Sequence, residues 1–279
     1  MDAATFIKRV GRLPSLSSLY YELTRAVENP NASVAMIGDI VRKDPSMAAR
    51  LLKLANSAYY GFPSKVMSIE DALQLIGMRE MRDMALATSV IGAFKNVPQR
   101  LLKVPDFWRH CIACGVACSL LAQARKEAAP ERFFVAGLLH DIGRLAMYWS
   151  APVESEQILR LCESEKNVSC NVETRILGFD HADLGAELLN VWKLPQSLVS
   201  MVGHHHYPGL YSAFLNDEIL VHTADFLVTA LDIGSSGEHF LLPLFTGAEK
   251  CCDLSYEQLE STARQIEERT DALNSILAE

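Results

Sequence analysis

Apolar residues recur at three- and four-residue steps from one end of this chain to the other, the pattern of helices that each bury one face. No stretch alternates apolar and polar residues between hairpin turns, so strands are not expected. A short segment over residues 2–7 comes first. Residues 15–28 then carry Leu16, Leu19, Tyr20, Leu23 and Val27 on one face and stop at Asn29-Pro30-Asn31. Ser33 caps a helix reaching Val41. Asp44 and Pro45 open the next, which carries Met47, Leu51, Leu52 and Leu54. Tyr59-Tyr60-Gly61-Phe62-Pro63 breaks the pattern, and residues 68–76 and 79–94 resume it on either side of Gly77.

Residues 96–106 hold Pro98 and Pro105 and mark a boundary. The expected organisation is therefore an N-terminal helical half over 1–98 and a second helical half over 99–279 that ends in an amphipathic helix. In the second half, residues 107–126 form a long helix, and 133–145 read as one continuous helix facing a core. Residues 152–173 read as a helix followed by a turn. Asp180 caps 181–192, which Pro195 ends. Helices over 197–206 and 219–231 follow. The tail over 255–277 steps through Leu259, Ala263, Ile266, Thr270, Leu273 and Leu277, and its expected use is to close the core.

Certain polar residues interrupt these inward faces. His110, His140 with Asp141, His181, His205 and Asp225 occupy positions that a buried helix normally fills with apolar side chains, and His206 flanks the set as a reserve. Imidazoles and carboxylates together can hold a divalent metal; the alternative is a hydrogen-bonded polar network without one. The residues divide into two ligand sets that Asp141 could bridge, for one or two ions. Iron, manganese, zinc, nickel and magnesium all suit the donors. The gaps between the residues are too long for a local metal knuckle, so the tertiary fold must assemble the site.

Composition narrows the classes. The chain has 279 residues, 49% of them hydrophobic, enough for one large or two ordinary domains. Its net charge of −8 disfavours a sequence-independent grip on nucleic acid. The short helices around Ile37–Leu54 resemble a helix-turn-helix, but only Arg42, Lys43, Arg50 and Lys53 are basic there. Cys111, Cys114 and Cys118 lie at i, i+3 and i+7 on one helix and fit a tight helix–helix contact. Cys162, Cys170 and the Cys251-Cys252 pair lack the spacing of a cysteine zinc site. No secretory pattern or membrane-length apolar run occurs, so the expected location is cytoplasmic with no membrane partner.

The order His110, His140-Asp141, His181, His205-His206, Asp225 resembles the HD superfamily of metal-dependent phosphohydrolases. More of the chain is similar to an HDOD domain, the HD-related output domain of bacterial signalling proteins. Its first half matches at Leu13-Pro14, Asp44-Pro45, Leu51-Leu52 with Asn56-Ser57, Tyr60-Gly61, Ser68-Ile69 and Ile76-Gly77. The second half matches at Phe107-Trp108 with His110, Gly137 to Gly143, His181 with Leu184-Gly185, Trp192 with Leu194-Pro195, and His205-His206 with Pro208.

The resemblance implies an all-α fold: an HD-like helical bundle with an N-terminal helical subdomain. It also implies a regulatory output module in signal transduction that works by contact with other signalling proteins. A homo-oligomer is left open, as is an attached receiver domain. The alternative is a metal-dependent phosphohydrolase acting on nucleotides or cyclic dinucleotides. Against the cyclic di-GMP hydrolases called HD-GYP, this chain lacks the Gly-Tyr-Pro loop, and Arg144 replaces their lysine after His-Asp-Ile-Gly. Arg144 and Lys193, with Arg109, are the candidate phosphate-binding residues, and no catalytic residue is assigned.

Overall fold

The computed structural model describes residues 1–11, 13–94, 97, 100–209, 211–248 and 255–277, and every regular element among them is a helix. Two compact units result, Met1–Leu13 with Asn96–Glu267 and Pro14–Lys95 with Glu268–Glu279. Both chain ends therefore cross the sequence halves 1–98 and 99–279. Pro98 and the Cys251-Cys252 pair lie outside the described residues. No helix is long and apolar enough to cross a membrane.

Helix α1 (Ala3–Val10) belongs to the larger unit, and the smaller one is built from α2 (Ser18–Val27), α3 (Val34–Arg42), α4 (Pro45–Ala55), α5 (Ile69–Ile76) and α6 (Met78–Ala93). Four of these five start on a side-chain cap: Ser17, Ser33, Asp44 and Ser68 each accept a backbone N–H from their own first turn. Such a cap is worth about 1 kcal/mol. Leu23, Ile37, Val41, Leu51, Leu54 and Met84 fill the core. Asn56 fixes the break after α4: its amide donates to the Val66 carbonyl and its oxygen accepts the Val66 N–H, both at 2.9 Å. Two of the four basic residues of the helix-turn-helix reading are engaged within this unit. Arg42 pairs with Asp39 and Glu70, and Lys43 with Glu22.

The larger unit continues with α7 (Val104–Ala124), α8 (Glu131–Leu139), α9 (Ile142–Ser150), α10 (Pro152–Glu165), α11 (Ser169–Leu177), α12 (His181–Val191), α13 (Gln196–Gly203) and α14 (Leu215–Ala230). The final helix α15 (Tyr256–Leu277) gives this unit its residues up to Glu267. In α15 Ile266, Thr270, Leu273 and Leu277 are buried; the Leu259 side chain lies outside the described residues.

Three elements differ from their sequence expectation. The single helix over 133–145 is two, because the chain leaves helical geometry at His140-Asp141, where Asp141 takes φ −96° and ψ 8°. The core encloses both pieces almost entirely, so apolar spacing continues across the break and conceals it. Residues 152–173 hold α10 and most of a second helix, α11, after a left-handed Lys166. Finally, α13 ends at Gly203, so the histidine triplet lies beyond the helix and not on its face.

Two glycines set the backbone spacing that the site needs. A Cβ on Gly137 would overlap the Cys114 carbonyl, and one on Gly143 would overlap the His181 carbonyl. Only glycine allows α8 to lie this close to α7, and α9 to α12.

Candidate metal centre

The predicted ligands reach the site from five places in the fold. His110 comes from the first turns of α7, where it is 3% exposed. His140 and Asp141 occupy the α8–α9 break. On a continuous helix neighbours at i and i+1 face different directions, and the break turns both side chains inward. His181 is the first residue of α12, whose capping box pairs Asp180 with Asp183. His205 and His206 follow α13, and Asp225 comes from the middle of α14.

These side chains converge in two sets. His110 Nε2 is 3.3 Å from Asp225 Oδ1, and His140 Nε2 is 3.5 Å from the same oxygen. Donor atoms of His181, His205 and His206 lie within 4.8 Å of one another, with the Nε2 atoms of His181 and His206 only 2.7 Å apart. Asp141 stands between the sets. Its Oδ2 is 3.4 Å from His140 Nε2 and 3.9 Å from His110 Nε2, and its Oδ1 is 2.9 Å from His181 Nε2. His206, the reserve ligand in sequence, is thus a full member of the second set.

The hydrogen bonds fix which nitrogens face inward. His140 donates from Nδ1 to the Gly137 carbonyl at 2.6 Å, and His205 from Nδ1 to the Val202 carbonyl at 2.7 Å. His181 donates from Nδ1 to Glu173 Oε2 at 2.6 Å. These acceptors cannot donate, so the proton is on Nδ1 and Nε2 points to the centre. This outer-ring bonding is what orients histidine ligands in metal sites. The Nε2 atoms of His140 and His205 and Nδ1 of His206 are buried and make no hydrogen bond. Such orphans are costly unless something occupies the space before them. A divalent cation fits, and the buried cluster could bind a metal.

The charges of the cluster are strongly coupled. Burial opposes the charged form of His140, but the neighbouring Asp141 and Asp225 carboxylates, 3.4 and 3.5 Å from its Nε2, outweigh it and raise the group to about 10. For His181, burial and the Arg144 charge oppose Glu173 and Asp141, which prevail and raise it to about 9. Burial, then the charges of His140 and His181, push His205 down to about 3. Burial would raise Asp141, yet Arg144, His140 and His181 hold it well below the carboxylate range. Using the protein's own groups alone, the carboxylates recruit protons onto two of the imidazoles that a cation would otherwise use.

Arg144, a sequence candidate for phosphate binding, is 1% exposed and surrounded by carboxylates. Its Nε donates to Asp141 Oδ1 at 3.0 Å, Nη1 is 3.8 Å from Glu173 Oε1, and Nη2 is 3.5 Å from Glu238 Oε2. Glu238 also accepts the Ser169 N–H and hydroxyl at 2.9 and 2.6 Å. Lys193 is exposed, follows α12 in the left-handed conformation, and does not line the cavity beside the centre. Arg109 is half-buried and does not line it either. That cavity measures about 20 Å³ and is bordered by Asp141, Arg144, His206, Asp225, Ser236 and Glu238 among others.

Sequence reasoning missed Glu173, Glu238 and His222. Glu173 fell in a segment read as a turn. His222 donates from Nδ1 to the His205 carbonyl at 2.7 Å and accepts the Phe245 N–H on Nε2 at 3.1 Å, so it holds the histidine loop in place. Its place in an apolar helix was the available signal. For Glu238 the sequence carried none.

The HDOD domain model matches residues 13–208, most of the chain. This chain belongs to the HDOD family. Over 208 residues it is 27% identical to an uncharacterised protein of Treponema pallidum (strain Nichols), covering 73% of this chain and 39% of that one. The chain therefore spans about two fifths of that curated relative. A Shewanella amazonensis SB2B crystal structure named "putative phosphohydrolase" has a TM-score of 0.80 at 24% identity, covering 99% of this chain and 98% of that one. A Marinobacter aquaeolei VT8 structure named "putative signal transduction protein" has a TM-score of 0.76 at 21% identity, over 96% and 60%. At these identities the likeness of the two structures is one of fold. It agrees with the all-helical architecture.

Proposed function

We propose that this HDOD chain is a regulatory module of signal transduction, holding a buried divalent-metal centre and acting through contact with other signalling proteins. The observation that carries this reading is Arg144. The cation best placed beside the ligands is already committed to Asp141, Glu173 and Glu238, and the adjoining cavity of about 20 Å³ has room for an ion or a water but not a nucleotide. Hydrolysis of a phosphate ester needs the phosphate held in line with its nucleophile and the leaving oxygen stabilised. The Marinobacter neighbour's name points the same way. A bound cation would tie five elements of the larger unit together through His110, His140, Asp141, His181, His205, His206 and Asp225.

A phosphohydrolase is the second reading, and Asp141 favours it. A carboxylate between two ligand sets is the arrangement by which paired metals activate water and neutralise phosphate charge, and the Shewanella neighbour carries that name. Metal analysis of the purified chain, followed by a turnover panel of nucleotides and cyclic dinucleotides with manganese or anaerobic ferrous iron, separates the two. The expected outcome is bound metal without turnover. Turnover at roughly 1 per second or faster, abolished by Asp141→Ala, would replace the regulatory reading with the enzymatic one.

A further inference from the structure

Three buried cysteines share α7, and one of them stands apart. Cys111, Cys114 and Cys118 are each 0% exposed. Cys114 Sγ, however, is 3.6 Å from His110 Nε2 and 3.9 Å from Asp225 Oδ1. With His140 these residues form a set whose donor atoms all lie within 4.8 Å of one another.

Those distances can be set against the edges of a coordination tetrahedron. Bonds of about 2.0–2.1 Å to nitrogen or oxygen and about 2.3 Å to sulfur put nitrogen and oxygen donors about 3.3 Å apart, and sulfur about 3.6 Å from each neighbour. The observed edges are 3.3 Å for His110–Asp225, 3.5 Å for His140–Asp225, 3.6 Å for Cys114–His110 and 3.9 Å for Cys114–Asp225. A thiol hydrogen bond to His110 or Asp225 would account for a single edge. It would leave His140 Nε2, buried in the same set and 3.5 Å from Asp225 Oδ1, still without a hydrogen bond.

We propose that Cys114 is a metal ligand, completing a nitrogen–oxygen–sulfur position with His110, His140 and Asp225. The neighbouring set of His181, His205 and His206 has no sulfur. The two positions then differ in kind: soft thiolate selects zinc, ferrous iron or cobalt over magnesium and manganese at the first, while imidazole and carboxylate discriminate less at the second. On binding, the Cys114 thiol gives up its proton to solvent and the sulfur lone pair forms the bond to the cation. The inference rests on the metal centre proposed above.

The full chain loaded anaerobically with cobalt(II) provides the test, with bound metal counted in every sample. Wild type, Cys111→Ser and Cys118→Ser are expected to show a thiolate-to-cobalt charge-transfer band in the near ultraviolet. Cys114→Ser is expected to lose that band while still taking up cobalt at the second position. In chelator competition its zinc affinity should fall about tenfold or more, within the range seen when metal-site residues are altered, with manganese affinity nearly unchanged. Zinc X-ray absorption on the unmutated chain needs no variant and should show a sulfur at about 2.3 Å. Bound cobalt without the band, a band that survives in Cys114→Ser, or a zinc shell of nitrogen and oxygen alone would each overturn the sulfur ligand and leave the metal centre standing. Failure to bind any metal would overturn both.

Discussion

Glu173 fixes His181 twice, accepting its backbone N–H at 2.8 Å and its Nδ1–H at 2.6 Å. The same carboxyl group faces Arg144. Glu173→Gln keeps the shape but not the charge that sets the tautomer of His181, so metal affinity in chelator competition is expected to fall about 10- to 100-fold with helical content unchanged. Unchanged affinity would mean that His181 is oriented by other groups. Arg144 carries the opposite charge at the same place. Arg144→Met leaves Asp141, Glu173 and Glu238 facing one another without a counter-charge, and urea unfolding is expected to show a loss of about 3–5 kcal/mol, the range for breaking a buried pair. A loss under 1 kcal/mol would show that the carboxylates are compensated elsewhere. At this scale the converging histidines and aspartates were legible and their supports were not. A histidine on an apolar face is conspicuous by itself. Glu173 and Glu238 acquire meaning only from partners such as His181, eight residues on, and Arg144, 94 residues back.

At the scale of elements, helix existence was read well and helix interruption poorly. Caps such as Ser33, Asp44 and Asp180 are local chemistry and stand in the sequence. The break at His140-Asp141 is set by packing, since Gly137 lets α8 approach Cys114 and Gly143 lets α9 approach His181. The motif around His140 is therefore a hinge of two tight helix contacts as much as a ligand pair. Gly137→Ala forces a methyl against the Cys114 carbonyl, and overpacking of this kind costs about 1–3 kcal/mol. The variant is expected to lose that much stability in urea and to bind metal more weakly, because His140 and His110 are drawn apart. Gly92 provides the contrast: it is exposed near the end of α6, and a Cβ added there would meet nothing within 4 Å. Gly92→Ala should be neutral or gain up to about 1 kcal/mol. Equal effects from the two substitutions would remove the close-approach argument.

For the molecule as a whole, the excess of acid matters most where it is buried. Four carboxylates, the buried Asp141 and Glu173 and the half-buried Asp225 and Glu238, gather around the ligand sets of the larger unit with one guanidinium, Arg144. With neutral imidazoles that leaves four minus one, three uncompensated negative charges; protons on His140 and His181, both raised by these carboxylates, lower the excess to one. Burial of unpaired charge is strongly unfavourable, so in the metal centre proposed above divalent cations take the place of those two protons. One ion would reduce the excess to a single negative charge, and two would turn it to a single positive one. Folding and metal binding are then linked, because the unfolded chain holds no assembled site. Free zinc at about 100 times its dissociation constant is expected to raise the unfolding free energy by about 2.7 kcal/mol for one site, read as a shift of the urea midpoint that a chelator reverses. Asp141→Asn keeps the volume but removes the charge shared between the two sets. It should fold, remain helical and lose most of that metal-dependent increment. Identical midpoints for the wild-type chain with metal and with chelator would mean that the cluster is a polar network held by its own protons, and the metal centre would have to be abandoned.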